Sequence, residues 1–239
     1  TAIGYNALYQ GNDTNCSENT AVGALALAGV TTTALNGCVA IGYNAMGVCN
    51  SGTPVGTVAV GAGSLASLTT GNNNVAIGYY ALGQHTTGSA NIAIGYGALS
   101  TTAGDADAAP DSSHNIAIGL NALGGNWNDA SASNYNIAIG GTSQDGILNG
   151  ACCNVSIGFD SLGAVTEGDN NTIIGHNAGN GITTGQYNTG IGNAVTFDID
   201  ANNQTAVGNG ATTDSANDIA IGNTSVDEVK GQVDFTTFS

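Results

Sequence analysis

The sequence predicts an all-β chain, a parallel β-solenoid of about thirteen coils, and three observations predict it. First, a four-residue phrase recurs thirteen times: a β-branched residue, a small one, Ile or Val, then Gly. It ends at Gly4, Gly23, Gly42, Gly61, Gly78, Gly95, Gly119, Gly140, Gly158, Gly175, Gly192, Gly208 and Gly222. The spacings run from 14 to 24 residues with no unrepeated gap, so one architecture fills the chain. Second, 38 of 239 residues are Gly, and no stretch sustains the three-and-four apolar spacing a helix needs. Third, hydrophobic residues reach 41% while aromatics stay at 5%, which suits a thin, regular core better than a bulky one.

Each unit reads in order. Three residues before the Gly stands Thr, Val or Ile, and one before it Ile or Val, so both point to one face of a short strand. Stacked coils are expected to bury these residues, with Leu, as one continuous column, each coil adding stability through its neighbours. The position between is Ala in ten of thirteen units, Ser156, Ile173 and Gly190 being the exceptions. This small opposite face reads as the surface where something packs closely, and hence where chains associate. Ala or Ser follows three residues after the Gly in twelve of thirteen units, and Leu or Met comes next in eight, from Leu8 and Leu27 through Met46 to Leu162. That pattern predicts a second short strand with one large inward residue. Asn precedes the phrase in eight units (Asn19, Asn74, Asn91, Asn115, Asn136, Asn154, Asn171 and Asn188), where it is expected to serve the turn. The Gly is expected to supply positive φ or close backbone approach at a corner.

The formal charge is −16, with Lys230 the single cation. Such a chain cannot neutralise phosphates, which excludes nucleic acid and argues against anionic membranes. No run reaches the 18 or more apolar residues of a span. Thr1 reads as an internal start of something longer. A chain with one trypsin-type cleavage site suits an extracellular or virion surface.

Units such as Asn74-Val75-Ala76-Ile77-Gly78 and Asn91-Ile92-Ala93-Ile94-Gly95 resemble the YadA-like head repeat of trimeric autotransporter adhesins. Thr1-Ala2-Ile3-Gly4-Tyr5-Asn6-Ala7-Leu8 is similar to repeats in bacteriophage and other viral tail fibres. The resemblance covers residues 1–222 and implies a homotrimeric left-handed β-roll whose minimal coil of fourteen residues matches the last spacing here. Longer coils imply decorated turns. Residues 223–239 leave the repeat and resemble the segment before an endosialidase-type intramolecular chaperone, which implies a self-cleaved end at Ser239. A chain that stops there without cleavage is the alternative.

The two longest insertions are consecutive, between Gly95 and Gly119 and between Gly119 and Gly140. They carry Asp105, Asp107, Asp111 and His114, then Trp127, Asp129 and Tyr135. Read functionally they form a receptor-binding bulge for a host-surface glycan or protein, with Trp127, the only Trp, as anchor; read structurally, Trp127 covers its own coil. Tyr5, Tyr43, Tyr79, Tyr96, Phe159 and His176 each follow the repeat Gly and are expected to stack as a ladder, chiefly for packing, although a groove along it could also take a glycan.

Acidic groups at Asp105, Asp107 and Asp111, at Asp198 and Asp200, and at Asp227 and Glu228 could hold Ca²⁺, but they match no calcium-loop pattern and read as solvated turns. No other cofactor is expected. Cys16 and Cys38 lie in turns of consecutive coils and could form a disulfide, whereas Cys152 and Cys153 pair between chains or stay as thiols; Cys49 completes an odd count. His85, His114 and His176 are the only imidazoles, and no nucleophile elbow or zinc motif occurs, so no enzyme is expected. The leading reading is a trimeric fibre or adhesin head with binding loops. The alternative is a purely structural filament, and ice binding on a Thr face is remote.

Overall fold

A computed structural model describes residues 1–9, 16–29, 35–49, 54–100, 112–125 and 131–227. Each repeat phrase forms one strand. In chain order these are β1 (Ala2–Ile3), β2 (Thr20–Val22), β3 (Val39–Ile41), β4 (Val58–Val60), β5 (Val75–Ile77), β6 (Ile92–Ile94) and β7 (Ile116–Ile118). They continue as β8 (Ile137–Ile139), β9 (Val155–Ile157), β10 (Thr172–Ile174), β11 (Thr189–Ile191), β12 (Thr205–Val207) and β13 (Ile219–Ile221). The thirteen strands make one parallel sheet in sequential order. Register is conserved: Ala40 pairs with Ala59, Ala93 with Ala117, and Ala206 with Ala220. At about 4.8 Å per coil the sheet is a rod of about 60 Å. The predicted β-solenoid is therefore the fold.

The two faces of the sheet are the reverse of the sequence expectation. The central Ala column, from Ala21 through Ala93 to Ala206, is fully buried and faces the interior. The flanking Ile and Val point outward, and Ile77, Ile94, Ile118 and Ile139 are 36–40% exposed. The reason is width. A coil this short leaves room beneath the sheet for a methyl group opposite the buried Leu27, Met46, Leu65, Leu82, Leu99, Leu123 and Leu162, but not for two rows of large side chains.

The exceptions obey the same volume rule. Where Ile173 enters the Ala column, Gly179 stands at the Leu position, and a Cβ there would lie 3.2 Å from the Ile173 side chain. At Gly190 a Cβ would lie 2.8 Å from the Phe197 ring, which fills that space. Ser156 keeps its hydroxyl buried by pairing with Ser143 Oγ at 2.5 Å.

The second strand predicted after each Gly is absent; that segment is a run of turns among the described residues. Alternate residues there have positive φ, as at Asn44 (54°) and Met46 (47°) or Asn121 and Leu123 (both 50°), which no strand permits. Each Leu reaches the core because the chain curls under it. The repeat Gly does turn the corner as expected: all thirteen have φ between +79° and +147°.

The Asn also has a different role from the one expected. The residue before it takes the left-handed conformation (Asn73, Ala90, His114, Tyr135, Cys153), while the Asn side chain points inward and is buried. Asn115 donates its N–H to Asn91 Oδ1 at 3.0 Å and its amide to Ser133 O at 2.9 Å, and its Oδ1 accepts the Asn136 N–H at 2.9 Å. Asn74 to Asn188 continue this ladder, each linking its own strand, the turn beside it and the next coil. Asn115→Ala leaves the Asn136 N–H and the Ser133 carbonyl buried without partners and is expected to cost about 2–6 kcal/mol, at ~1–3 kcal/mol per group. Urea denaturation checks this. A loss below about 1 kcal/mol would deny the ladder its role.

Candidate functional site

The feature that dominates the surface is the outer face of the sheet. From β2 to β13 the Ile and Val columns run unbroken, with Thr joining only as Thr20 near the start and as Thr172, Thr189 and Thr205 toward the end. Parallel sheets are found almost entirely with both faces covered, since both are apolar. Here the turns cover one face, and nothing in this chain's described residues covers the other. A continuous apolar stripe about 60 Å long is far beyond what scattered exposed side chains explain.

The structure divides the predicted bulge residues. His114 and Tyr135 occupy the same turn position in consecutive coils, and their rings stack with centroids 5.0 Å apart and planes 20° apart. Tyr135 is 58% exposed. Trp127, Asp105, Asp107, Asp111 and Asp129 lie outside the described residues, as do Glu228, Lys230 and Ser239. Among the described residues no three His, Cys, Asp or Glu side chains gather where they could hold a metal ion. Asp145 and Asp160 approach each other across two coils, and burial, then the Asp160 charge, raises the Asp145 carboxyl above its ordinary range.

The aromatic column after the repeat Gly forms in part. Tyr79 and Tyr96 stack at 5.3 Å and 15°, and Phe159 stacks on His176 at 5.6 Å and 18°. Ala24, Ala62 and Gly141 interrupt the column elsewhere. Beside Tyr79, the neighbouring Tyr80 tilts across it at 4.7 Å and 53°. His85, the remaining imidazole, is buried beside Asn91, its Nε2 lying 3.4 Å from the Asn91 amide.

The Cys16–Cys38 disulfide considered from the sequence is not formed. Cys38 sits at an Asn position of the ladder, where its N–H binds Asn19 Oδ1 at 2.9 Å and its Sγ donates to Pro54 O at 3.1 Å. Cys16 Sγ accepts the Leu35 N–H at 3.5 Å. Cys152 and Cys153 are thiols with their sulfurs 2.9 Å apart. Burial, then the Cys153 hydrogen bond and the Asp169 charge, pushes the Cys152 thiol up.

Burial, then the Cys38 charge, pushes Cys49 up to about 12. The sign of the pH effect follows. An unfolded thiol ionises from about pH 9, while folded Cys49 keeps its proton, so above that pH the unfolded state binds fewer protons and stability falls. The urea midpoint is expected to fall as pH rises from 9 towards 12, and Cys49→Ala is expected to reduce that fall. An unchanged alkaline decline in the variant would contradict it.

Sequence reasoning located the repeat and part of the aromatic ladder, named His114 and Tyr135 singly without their stacking, and missed the outward Ile and Val face. The available signal was the uniformity of the Ala column, because only an enclosed position demands one small size in coil after coil.

No protein-family model and no curated protein matches the chain. Among solved structures, the collagen-binding domain of the Yersinia adhesin YadA is similar at 18% identity, over 93% of this chain and 90% of that one, with a TM-score of 0.34.

Proposed function

We propose that the chain is the rod of an extracellular or virion-surface fibre or adhesin head that assembles as a homotrimer and acts by binding, without catalysis. The observation that carries this reading is the uncovered Ile and Val face, which wants an equally long, equally regular apolar partner. A second copy of this chain offers such a face. Three copies around one axis follow from the head-repeat resemblance of residues 1–222.

In this reading the rod is a stiff spacer. The insertions of coils 95–140 carry host contact through Trp127, Tyr135 and His114, with Asp105 and Asp107 beside them in sequence, and the partner is a host-surface glycan or protein. A charge of −16 with one cation keeps nucleic acid and anionic lipid away. Replacing Trp127 and Tyr135 together by Ala, with fold and mass retained, is expected to abolish attachment to host cells. Unchanged attachment would leave the second reading, a purely structural shaft with recognition elsewhere. That reading draws on the same regular face and predicts that no loop substitution matters.

A further inference from the structure

The turns that follow β5, β6 and β7, the last two at the base of the long insertions, form a shallow groove of about 310 Å³. Its apolar walls are the rings of Tyr79, Tyr80 and Tyr96, each between 43% and 57% exposed. Tyr79 and Tyr96 stack on each other with planes 15° apart, and Tyr80 forms a tilted side wall. Gln84, Ser100 and Asn121 complete the lining. Their backbones are held: the Gln84 N–H binds Ser100 O and the Asn121 N–H binds Tyr96 O. Their side-chain amides and hydroxyl have no hydrogen-bond partner within the described chain. Gly97 lies beneath Asn121 Oδ1, and a Cβ there would push that side chain aside.

We infer that this groove is a binding subsite for a neutral hexopyranose, an assignment that rests on the host-attachment reading for its purpose but not for its chemistry. A pyranose has one face of slightly positive C–H groups and a rim of hydroxyls. The Tyr faces, negative at their π-clouds, take the C–H face. Amide and hydroxyl groups that both donate and accept match the rim. The charge of the sugar is set by what is missing from the lining: no cation stands there to hold a carboxylate or phosphate, and the chain's −16 repels one. At this volume, near the lower end of the ~300–1,000 Å³ of ligand sites, the groove takes one or two sugar rings. Other stacked pairs, such as Phe159 with His176, lack this tyrosine wall with its cluster of uncommitted polar groups and carry no such inference.

Saturation-transfer NMR on the intact chain tests the assignment, using methyl glycosides of glucose, galactose and mannose, with the methyl glycoside of N-acetylneuraminic acid as the anionic probe. At least one neutral glycoside is expected to receive saturation at its ring protons. Tyr96→Ala and Gln84→Ala are each expected to cut that signal about fivefold or more, equivalent to about 1 kcal/mol of lost affinity. Tyr187→Ala, an exposed tyrosine elsewhere on the rod, is expected to leave it unchanged. Circular dichroism matching the parent qualifies each variant, and if Tyr96→Ala fails to fold, Gln84→Ala, exposed and outside the core, decides. No transfer to any neutral glycoside, an undiminished signal in the folded variants, or equal transfer to the methyl sialoside would overturn the assignment. Because the readout uses isolated protein and free sugar, it stands or falls separately from host attachment through Trp127 and Tyr135.

Discussion

Gly119→Ala is expected to break the rod at its middle. Gly119 has φ +139°, a region essentially reserved for Gly, and enforcing it on Ala costs about 1–3 kcal/mol. The larger cost is steric. A Cβ on Gly119 would sit 2.5 Å from the carbonyl oxygen of Gly140 and 2.6 Å from its carbon, atoms of the next coil's backbone that cannot swing aside. Relief requires separating two coils, which breaks the β7–β8 register and the Asn115–Asn136 rung together. The expected total exceeds about 4 kcal/mol, in the range reserved for buried clashes. Because each coil touches chiefly its neighbours, the lesion should also divide one cooperative melt into two. The control is Gly181→Ala, where an added Cβ has nothing within 4 Å and φ is not positive; it should stay within about 0.5 kcal/mol of the parent. Thermal melts followed by circular dichroism measure both. A single, unshifted transition for Gly119→Ala would contradict the corner account.

The second large effect is on assembly. Ile94→Asp with Ile118→Asp places two carboxylates on the outer face, 36–37% exposed positions whose side chains leave the core of their own chain untouched. In the single chain these groups stay hydrated, and their like charges, opposite each other in the β6–β7 register, cost about 1 kcal/mol. At a face buried between copies each would lose its water with no cation opposite, at a cost of several kcal/mol per charge, repeated in every copy. The double variant is therefore expected to keep the circular dichroism of the parent and to sediment as a monomer. An assembled species of parental mass would show that association uses another surface.

How much of this was legible in the sequence can be judged from particular residues. The period, the corners and the inward Leu were legible because each rests on a local demand: a positive φ met by Gly119, a buried Leu99 four residues after Gly95. Which face of β6 points inward was not, because Ile92-Ala93-Ile94 alternates in the same way whichever side is enclosed. The width of the coil decides it, and that emerges only when the turns fold under the sheet. The Asn was expected to serve its own turn, yet the residue before it takes that part and its buried rung at Asn91 and Asn115 arises from the coil above, a partner 24 residues away. Cys38 shows the same limit. As a sequence feature it is a disulfide candidate, and only the stack reveals that it stands in an Asn position, donating to Pro54 O. The groove at Tyr79 and Tyr96 needed Gln84, Ser100 and Asn121 brought together from successive coils, which no spacing rule connects.

The central claim is that the bare Ile and Val face is covered by copies of the same chain. Molar mass by light scattering on the folded protein, with and without reductant, tests it most directly. The account predicts three times the 23.3 kDa of one chain in both conditions, since an apolar face and not a disulfide holds the copies together. A mass of 23.3 kDa, or a trimer that falls apart on reduction, would contradict it.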